Sequence, residues 1–186
     1  MRLGYAMPLL FLLVCLVFAL PGQATAATAW IYNGTCKDGS LKRGKTTDDL
    51  RVVAGETFSC GQAILMELKN GRKLIQFVMQ KGTPLGFAGA AYDRKTNPKV
   101  LILPLDRIYP VRDFGSDPKE IYRRSRAGEG VLDGAQGFCF FSSHDLSASN
   151  GVSCTAMHQT GDQKTVYRIT LDTTSKPIRK TLPDPD

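Results

Sequence analysis

The chain carries, from Ala63 to Val78, the stretch AILMELKNGRKLIQFV, in which Asn70-Gly71 separates two apolar runs. Asn-Gly is the pair that a two-residue type I′ turn favours, because both central residues of that turn need positive φ. Apolar runs on either side of such a turn are typical of paired antiparallel strands. The stretch therefore predicts a β-hairpin, and a hairpin here makes a β fold the first hypothesis.

The turn also sets a register for the predicted hairpin. Counting outward from a two-residue loop places Met66 opposite Ile75, and Ile64 opposite Phe77, on one dry face. The alternative is a helix from Gln62 to Lys69, because these residues also favour helices and the Asn-Gly pair could cap the C-terminal end. A helix in this place would make the fold class α+β.

Other segments of strand composition are spread along the chain. They are Ala29–Thr35, Leu50–Val53, Gly86–Tyr92, Val100–Leu103, Phe138–Phe141, Val152–Met157 and Thr165–Leu171. In the last of these, Tyr167, Ile169 and Leu171 share one face and are predicted to be buried. The segment Val100–Leu103 is apolar at every position, which predicts an interior strand that is covered on both faces.

One short helix is predicted to begin at Asp117 and to end before Gly128, because Asp117 can cap it and Pro118 fits its first turn. Many short strands, frequent turns and one short helix predict an all-β fold, either an antiparallel sandwich or an open barrel. This single β domain would occupy residues 27–173. The last residues, 174–186, include three prolines and are predicted to be a flexible C-terminal tail.

Residues 1–26 have the pattern of a secretory signal peptide. Arg2 precedes an unbroken apolar run from Pro8 to Leu20, and Ala24-Thr25-Ala26 supplies the small residues that a signal peptidase accepts. The run is shorter than the roughly 20 residues that span a bilayer, and no later run is long enough to do so. The pattern predicts a mature protein without a transmembrane segment, located in the periplasm or secreted.

The cysteines support an exported protein. Cys15 lies in the predicted signal, and the four that remain are Cys36, Cys60, Cys139 and Cys154. An even number in an exported chain predicts two disulfides. The favoured pairing joins Cys36 to Cys60 and Cys139 to Cys154, because each pair lies in one compact segment, although the other two connectivities stay open. The wide spacings disfavour a zinc site, and we predict no metal and no cofactor.

Nothing in the sequence defines an enzyme, because it contains no nucleophile elbow, phosphate-binding loop or zinc-protease motif. His144 stands between Ser143 and Asp145, but neighbouring residues of a strand point to opposite faces and cannot form a triad. Four carboxylates lie near basic residues and could converge only in the folded chain: Asp93, Asp106, Asp113 and Asp133. A small secreted hydrolase is therefore the alternative hypothesis, and a non-enzymatic protein is the leading one.

The charge balance indicates the kind of partner. The chain carries 24 Lys and Arg against 17 Asp and Glu, a basic excess that favours anionic partners. The candidate binding residues are Arg107, Arg112, Arg123, Arg124 and Arg126, on a predicted edge segment and on the helix that follows it. We expect a small exported binding or interaction module of the cell envelope with a basic surface. Its partner would be another envelope protein or an anionic envelope component, whereas nucleic acid is disfavoured.

An aromatic cluster, Phe138-Cys139-Phe140-Phe141, allows two interpretations. Its rings could form a platform for sugars or bases, or they could belong to the core beside a disulfide. Aromatic residues that flank a disulfide in a strand are usually buried. The sequence therefore favours the core interpretation.

Overall fold

The computed structural model describes residues 27–67, 71–80, 84–111 and 130–182. Within these ranges the chain is almost entirely β-structure, and its regular elements are the strands β1 (Ala27–Gly44), β2 (Arg51–Phe58), β3 (Cys60–Glu67), β4 (Lys73–Met79), β5 (Leu85–Gly89), β6 (Leu101–Tyr109), β7 (Leu132–Phe141), β8 (Gly151–Thr160), β9 (Gln163–Thr173) and β10 (Ile178–Leu182), with one 3₁₀ turn at Leu146–Ala148. The all-β prediction is confirmed. The helix predicted from Asp117 and the signal peptide predicted at residues 1–26 lie outside the described residues.

Eight strands close into an antiparallel barrel. The strands from β3 to β9 pair in chain order, and β1 completes the ring by pairing with both β3 and β9. The other two strands, β2 and β10, also pair with β1. One strand can hold four partners because β1 is 18 residues long: β3 and β10 flank its first half, and β9 and β2 flank its second half. The antiparallel all-β architecture is as predicted, but the barrel is closed, neither the sandwich nor the open barrel that the sequence suggested.

Side chains that point inward fill most of the barrel. The largest buried aromatic residues are Tyr32, Phe77, Phe87 and Phe141, and aliphatic residues from nearly every strand surround them. Burying one such side chain contributes about 1.5–3 kcal/mol relative to leaving it exposed. The prediction that Tyr167, Ile169 and Leu171 share a buried face is confirmed.

The strand β6 has only one covered face. Leu101 and Leu103 are fully buried, whereas Ile102 between them is partly exposed on the outside of the barrel. The prediction that Val100–Leu103 is covered on both faces is therefore wrong. A single closed sheet covers its inner face only, and the apolar residues on the outer face meet solvent.

The predicted hairpin is present, because β3 and β4 pair as antiparallel neighbours. The alternative helix from Gln62 to Lys69 is wrong. The predicted register is also wrong by one residue: Leu65, not Met66, lies opposite Ile75. The last pair is Glu67 with Lys73, so the connection is longer than the two-residue turn from which the register was counted.

Part of the predicted C-terminal tail is a strand. Ile178–Leu182 pairs along its whole length with Ala27–Ile31 at the start of β1. The amide of Thr174 donates a hydrogen bond of 2.9 Å to the carbonyl of Asn33, which holds the connection against the barrel. The missing signal is apolar alternation, and what holds β10 in place is backbone pairing with the side of β1 that does not pair with β3.

Both favoured cysteine pairs lie at disulfide distance. Cys36 on β1 meets Cys60 at the start of β3, with 5.1 Å between their Cα atoms. Cys139 and Cys154 face each other directly across β7 and β8, with 4.0 Å between their Cα atoms. Over the same described ranges, no helix is long and apolar enough to cross a membrane.

Candidate functional site

A cavity of about 510 Å³ opens at the end of the barrel where β1, β6 and β8 finish and β7 and β9 begin. This volume lies within the range of about 300–1,000 Å³ that is typical of small-molecule sites. An eight-stranded barrel is wide enough to hold one small ligand at its mouth. We call this feature the mouth cavity.

The floor of the mouth cavity is apolar. It is formed by Leu41, Phe58, Val111, Leu132 and the ring of Tyr167. Leu41 and Tyr167 face each other across β1 and β9, and both are buried. A ligand on this floor would meet side chains that favour hydrocarbon.

The barrel is filled at the level of this floor. Leu41, Tyr167, Ala156 and Leu105 occupy one layer across β1, β9, β8 and β6, and all four are buried. A ligand in the mouth cavity therefore stays in the outermost layer of the barrel and cannot run through its centre.

The rim of the mouth cavity is polar and cationic. Arg43 and His158 both pair with Thr165, so that the three lie in one row across β1, β9 and β8. Residues two apart on a strand share a face, and Arg43 therefore points the same way as Leu41. Adjacent strands lie about 4.8 Å apart, so Arg43 and His158 are separated by about 10 Å with Thr165 between them. Thr160 and Gln163 add further polar side chains to the lining.

The guanidinium of Arg43 has no ion-pair partner among the described residues, and no described carboxylate lines the mouth cavity. The planar guanidinium presents a fork of N–H donors that matches a carboxylate or a phosphate. Nδ1 of His158 lies 3.4 Å from the hydroxyl of Thr160, on the other side of Thr165 from Arg43. The arrangement can bind a small anion whose apolar part lies on the floor.

The opposite end of the barrel is closed by aromatic rings. Phe141 lies between Tyr32 and Tyr92, with ring centroids 6.2 and 6.1 Å from its own. Burial raises the pKa of both tyrosine hydroxyls well above the usual value. These rings pack against the core and act as structural residues.

The Ser-His-Asp segment belongs to a loop at this closed end. Nε2 of His144 lies 2.8 Å from the carbonyl oxygen of Asn97, which ties this loop to the β5–β6 connection. Asp145 accepts a hydrogen bond from the amide of Ser147 and caps the 3₁₀ turn. Each residue therefore has a structural partner, as expected for a polar turn.

Of the five arginines predicted to form a basic surface, the structure describes only Arg107. Arg112, Arg123, Arg124 and Arg126 lie outside the described residues, so the structure does not test whether they converge with Arg107. The Nε of Arg107 lies 2.6 Å from a carboxylate oxygen of Asp133, and this ion pair raises the pKa of the arginine. The strand that carries Arg107 pairs on both sides, with β5 and β7. The prediction that it lies on an edge segment is therefore wrong.

Three of the four candidate carboxylates are described, and each has a different partner. Asp93 accepts hydrogen bonds from the hydroxyl of Thr96 and from the backbone amides of Lys95 and Thr96, which lowers its pKa. Asp106 pairs with Arg72, and Asp133 pairs with Arg107. Asp113 lies outside the described residues. In the part of the chain that is described, no three His, Cys, Asp or Glu side chains gather as a metal site.

Sequence reasoning missed the mouth cavity because its basic group seemed to be ordinary surface. Arg43 belongs to the cluster Lys42-Arg43-Gly44-Lys45, which has the composition of a solvated loop. The signal that could have found it is the alternation of Leu41 with Arg43, since residues two apart share a face. Comparisons of this chain with protein-family models, with curated proteins and with solved structures found no match.

Proposed function

We propose that this protein is a small exported, non-enzymatic binding module of the cell envelope, and that it holds a small amphipathic anion in the mouth cavity. One observation carries the proposal: the exposed side chain of Arg43 lines a cavity with an apolar floor, and no described carboxylate lines that cavity beside it. A cation in such a place gains most when an anionic ligand supplies the missing charge.

The chemistry of the lining specifies the ligand class. A carboxylate or phosphate would accept hydrogen bonds from the Arg43 guanidinium, with Thr165 and His158 beside it in the same row. A short hydrocarbon or aromatic part would cover the floor. A hydrogen bond to a charged group contributes about 1.5–3 kcal/mol, and at about 1.4 kcal/mol for each tenfold change the charged contact should raise affinity roughly tenfold to a hundredfold.

The cell-envelope location is supported by the sequence of residues 1–26 and by the two cysteine pairs at disulfide distance. Such pairs persist as disulfides in oxidising compartments. A hydrolase gains no support from the described residues, because Asp93, Asp106 and Asp133 each serve a separate structural contact.

Binding of decanoate and of its neutral analogue decanol tests the proposal by calorimetry. We expect decanoate to bind more tightly, and Arg43→Gln to weaken decanoate about tenfold while decanol is unaffected. Lys42→Gln is the matched control, because Lys42 lies next to Arg43 on the same strand and points to the opposite face. Equal affinity for the two ligands, or equal effects of the two substitutions, would contradict the proposal.

A further inference from the structure

Two aromatic side chains stand on the outside of the barrel. Phe138 and Phe140 are 42% and 36% exposed, with 4.5 Å between their ring centroids. Cys139 and Phe141 alternate with them and enter the core. The interpretation of this segment as core is therefore wrong for two of its three rings, because the strand alternates between a covered face and an open one.

The strand register shows what surrounds the pair. Pro104, Phe138, Thr155 and Arg168 follow one another directly across β6, β7, β8 and β9. Neighbouring strands are about 4.8 Å apart, so Phe138 and Arg168 are separated by about 10 Å across the outer surface. The row begins apolar, continues through a hydroxyl and ends in a cation.

The next row combines an aromatic ring with two hydroxyls and has no cation on these strands. Phe140 pairs with Ser153, which pairs with Thr170, and the two hydroxyls lie 2.8 Å apart. Asp172 is on the same outer face of β9, but one of its carboxylate oxygens lies 2.6 Å from Nζ of Lys37. Arg168 is exposed and has no ion-pair partner among the described residues. The surface therefore combines two rings, several hydroxyls and an unpaired cation.

We propose that this outer face of β7–β9 binds an acidic oligosaccharide. The C–H face of a sugar ring packs on Phe138 and Phe140, and a carboxylate a few sugar units away reaches the guanidinium of Arg168. The hydroxyls between them match the hydroxyls of the sugars. The charge of Arg168 is complementary to a uronate, and its planar fork suits a carboxylate.

The geometry disfavours two other partners. Nucleobases stack best on parallel ring faces, whereas these two rings are inclined by 54° to each other. A purely apolar partner would cover Thr155 and Arg168 without giving them hydrogen bonds, and burying unpaired polar groups is unfavourable. An acidic sugar chain satisfies the rings, the hydroxyls and the cation together.

Binding of tetragalacturonate to the full mature protein tests the proposal, with the fully methyl-esterified tetramer as the neutral control on the same backbone. We expect only the acid to bind measurably, with an affinity that falls as salt rises. The substitution Arg168→Gln should weaken binding about tenfold, and the double substitution Phe138→Ser with Phe140→Ser should weaken it at least as much. Since Arg168 is exposed, its variant should fold normally even if the double variant does not.

Matched controls come from other faces of the barrel. Val78→Ser removes an apolar side chain that is 36% exposed on β4, and Lys180→Gln removes an exposed cation on β10. Neither should change the affinity. Arg43→Gln should also leave it unchanged, which separates this site from the mouth cavity. No binding at millimolar acid, equal binding of the ester, tighter binding of an oligothymidylate, or a loss caused by Arg43→Gln would each overturn the proposal.

Discussion

Removing the bond between Cys139 and Cys154 should destabilise the barrel without changing its shape. The two residues are direct partners on β7 and β8, so the strands stay paired in the folded state when the bond is absent. The main effect falls on the unfolded chain, which gains the freedom of a loop that the disulfide otherwise closes. We therefore expect a lower free energy of unfolding and a preserved β-sheet spectrum.

The magnitude follows from the sequence separation of 15 between the two cysteines. Closing a loop of this length stabilises a protein by about 3 kcal/mol in the loop-entropy description. For a domain of this size, about 3 kcal/mol corresponds to a fall in Tm of roughly 6–12 °C. The double substitution Cys139→Ala with Cys154→Ala should cost more than this, because both side chains are fully buried and their truncation also loses packing.

Guanidinium unfolding followed by tryptophan fluorescence measures the effect. The sole tryptophan is Trp30, which packs against the core near the start of β1. Reduction of the wild type opens both disulfides, so comparing the oxidised and reduced forms of a Cys36→Ala, Cys60→Ala variant isolates the closure of this one loop. Comparing the reduced wild type with the reduced Cys139→Ala, Cys154→Ala variant isolates the loss of packing. Identical unfolding midpoints for the oxidised and reduced wild type would refute the reasoning.

Two further predictions concern the end of the chain and the buried tyrosine. Ending the chain after Thr174 removes β10 but leaves the pairing of β1 with β9, so the barrel should stay folded. Trp30 should become more exposed, because Arg179 no longer covers its ring. Unfolding of the truncated protein, seen by circular dichroism, would contradict this prediction. Burial raises the pKa of Tyr32, so its contribution to stability is complete below the ordinary value of 10.0 and is lost as the pH rises above it. Near pH 10 the folded wild type and Tyr32→Phe should therefore show the same increase in tyrosinate absorbance. A larger increase in the wild type would show that Tyr32 ionises normally.

Local patterns predicted the strands well, and they failed where a choice depended on distant contacts. The hairpin and the buried face of β9 follow from apolar runs and turn residues near them in sequence. The register of the hairpin does not, because Ile64 and Met66 on the outer face are as apolar as Leu65 on the inner face. A one-residue shift exchanges two faces of similar hydrophobicity. Only closure of the ring, which buries one face, decides between them.

The two proposed binding surfaces could not be predicted from the sequence for a related reason. Phe138 and Phe140 have the composition of core residues, and their exposure depends on which face of β7 the barrel covers. Arg43 has the surroundings of a surface loop, and its direction depends on the path of β1. In both cases the residue type is informative only once its face is known.

An irregularity in β1 decides which basic residue enters the mouth cavity. Between Lys37 and Ser40, β1 carries one residue more than the facing part of β9, which is a β-bulge. Before the bulge Cys36 faces Leu171, on the inner side, and after it Leu41 and Arg43 take the inner side. A regular strand would instead point Lys42 inward and Arg43 outward.

The residues of the bulge suit its geometry. Asp38 has a φ of 55°, in the left-handed region that aspartate tolerates better than most residues. At Gly39 a Cβ atom would lie 2.2 Å from the carbonyl oxygen of Phe58, so only glycine allows this close approach of β2. Asp-Gly in a chain is typical of a hairpin turn, but here it reverses the faces of one continuous strand. The proposed anion site therefore depends on these two residues as well as on Arg43 itself.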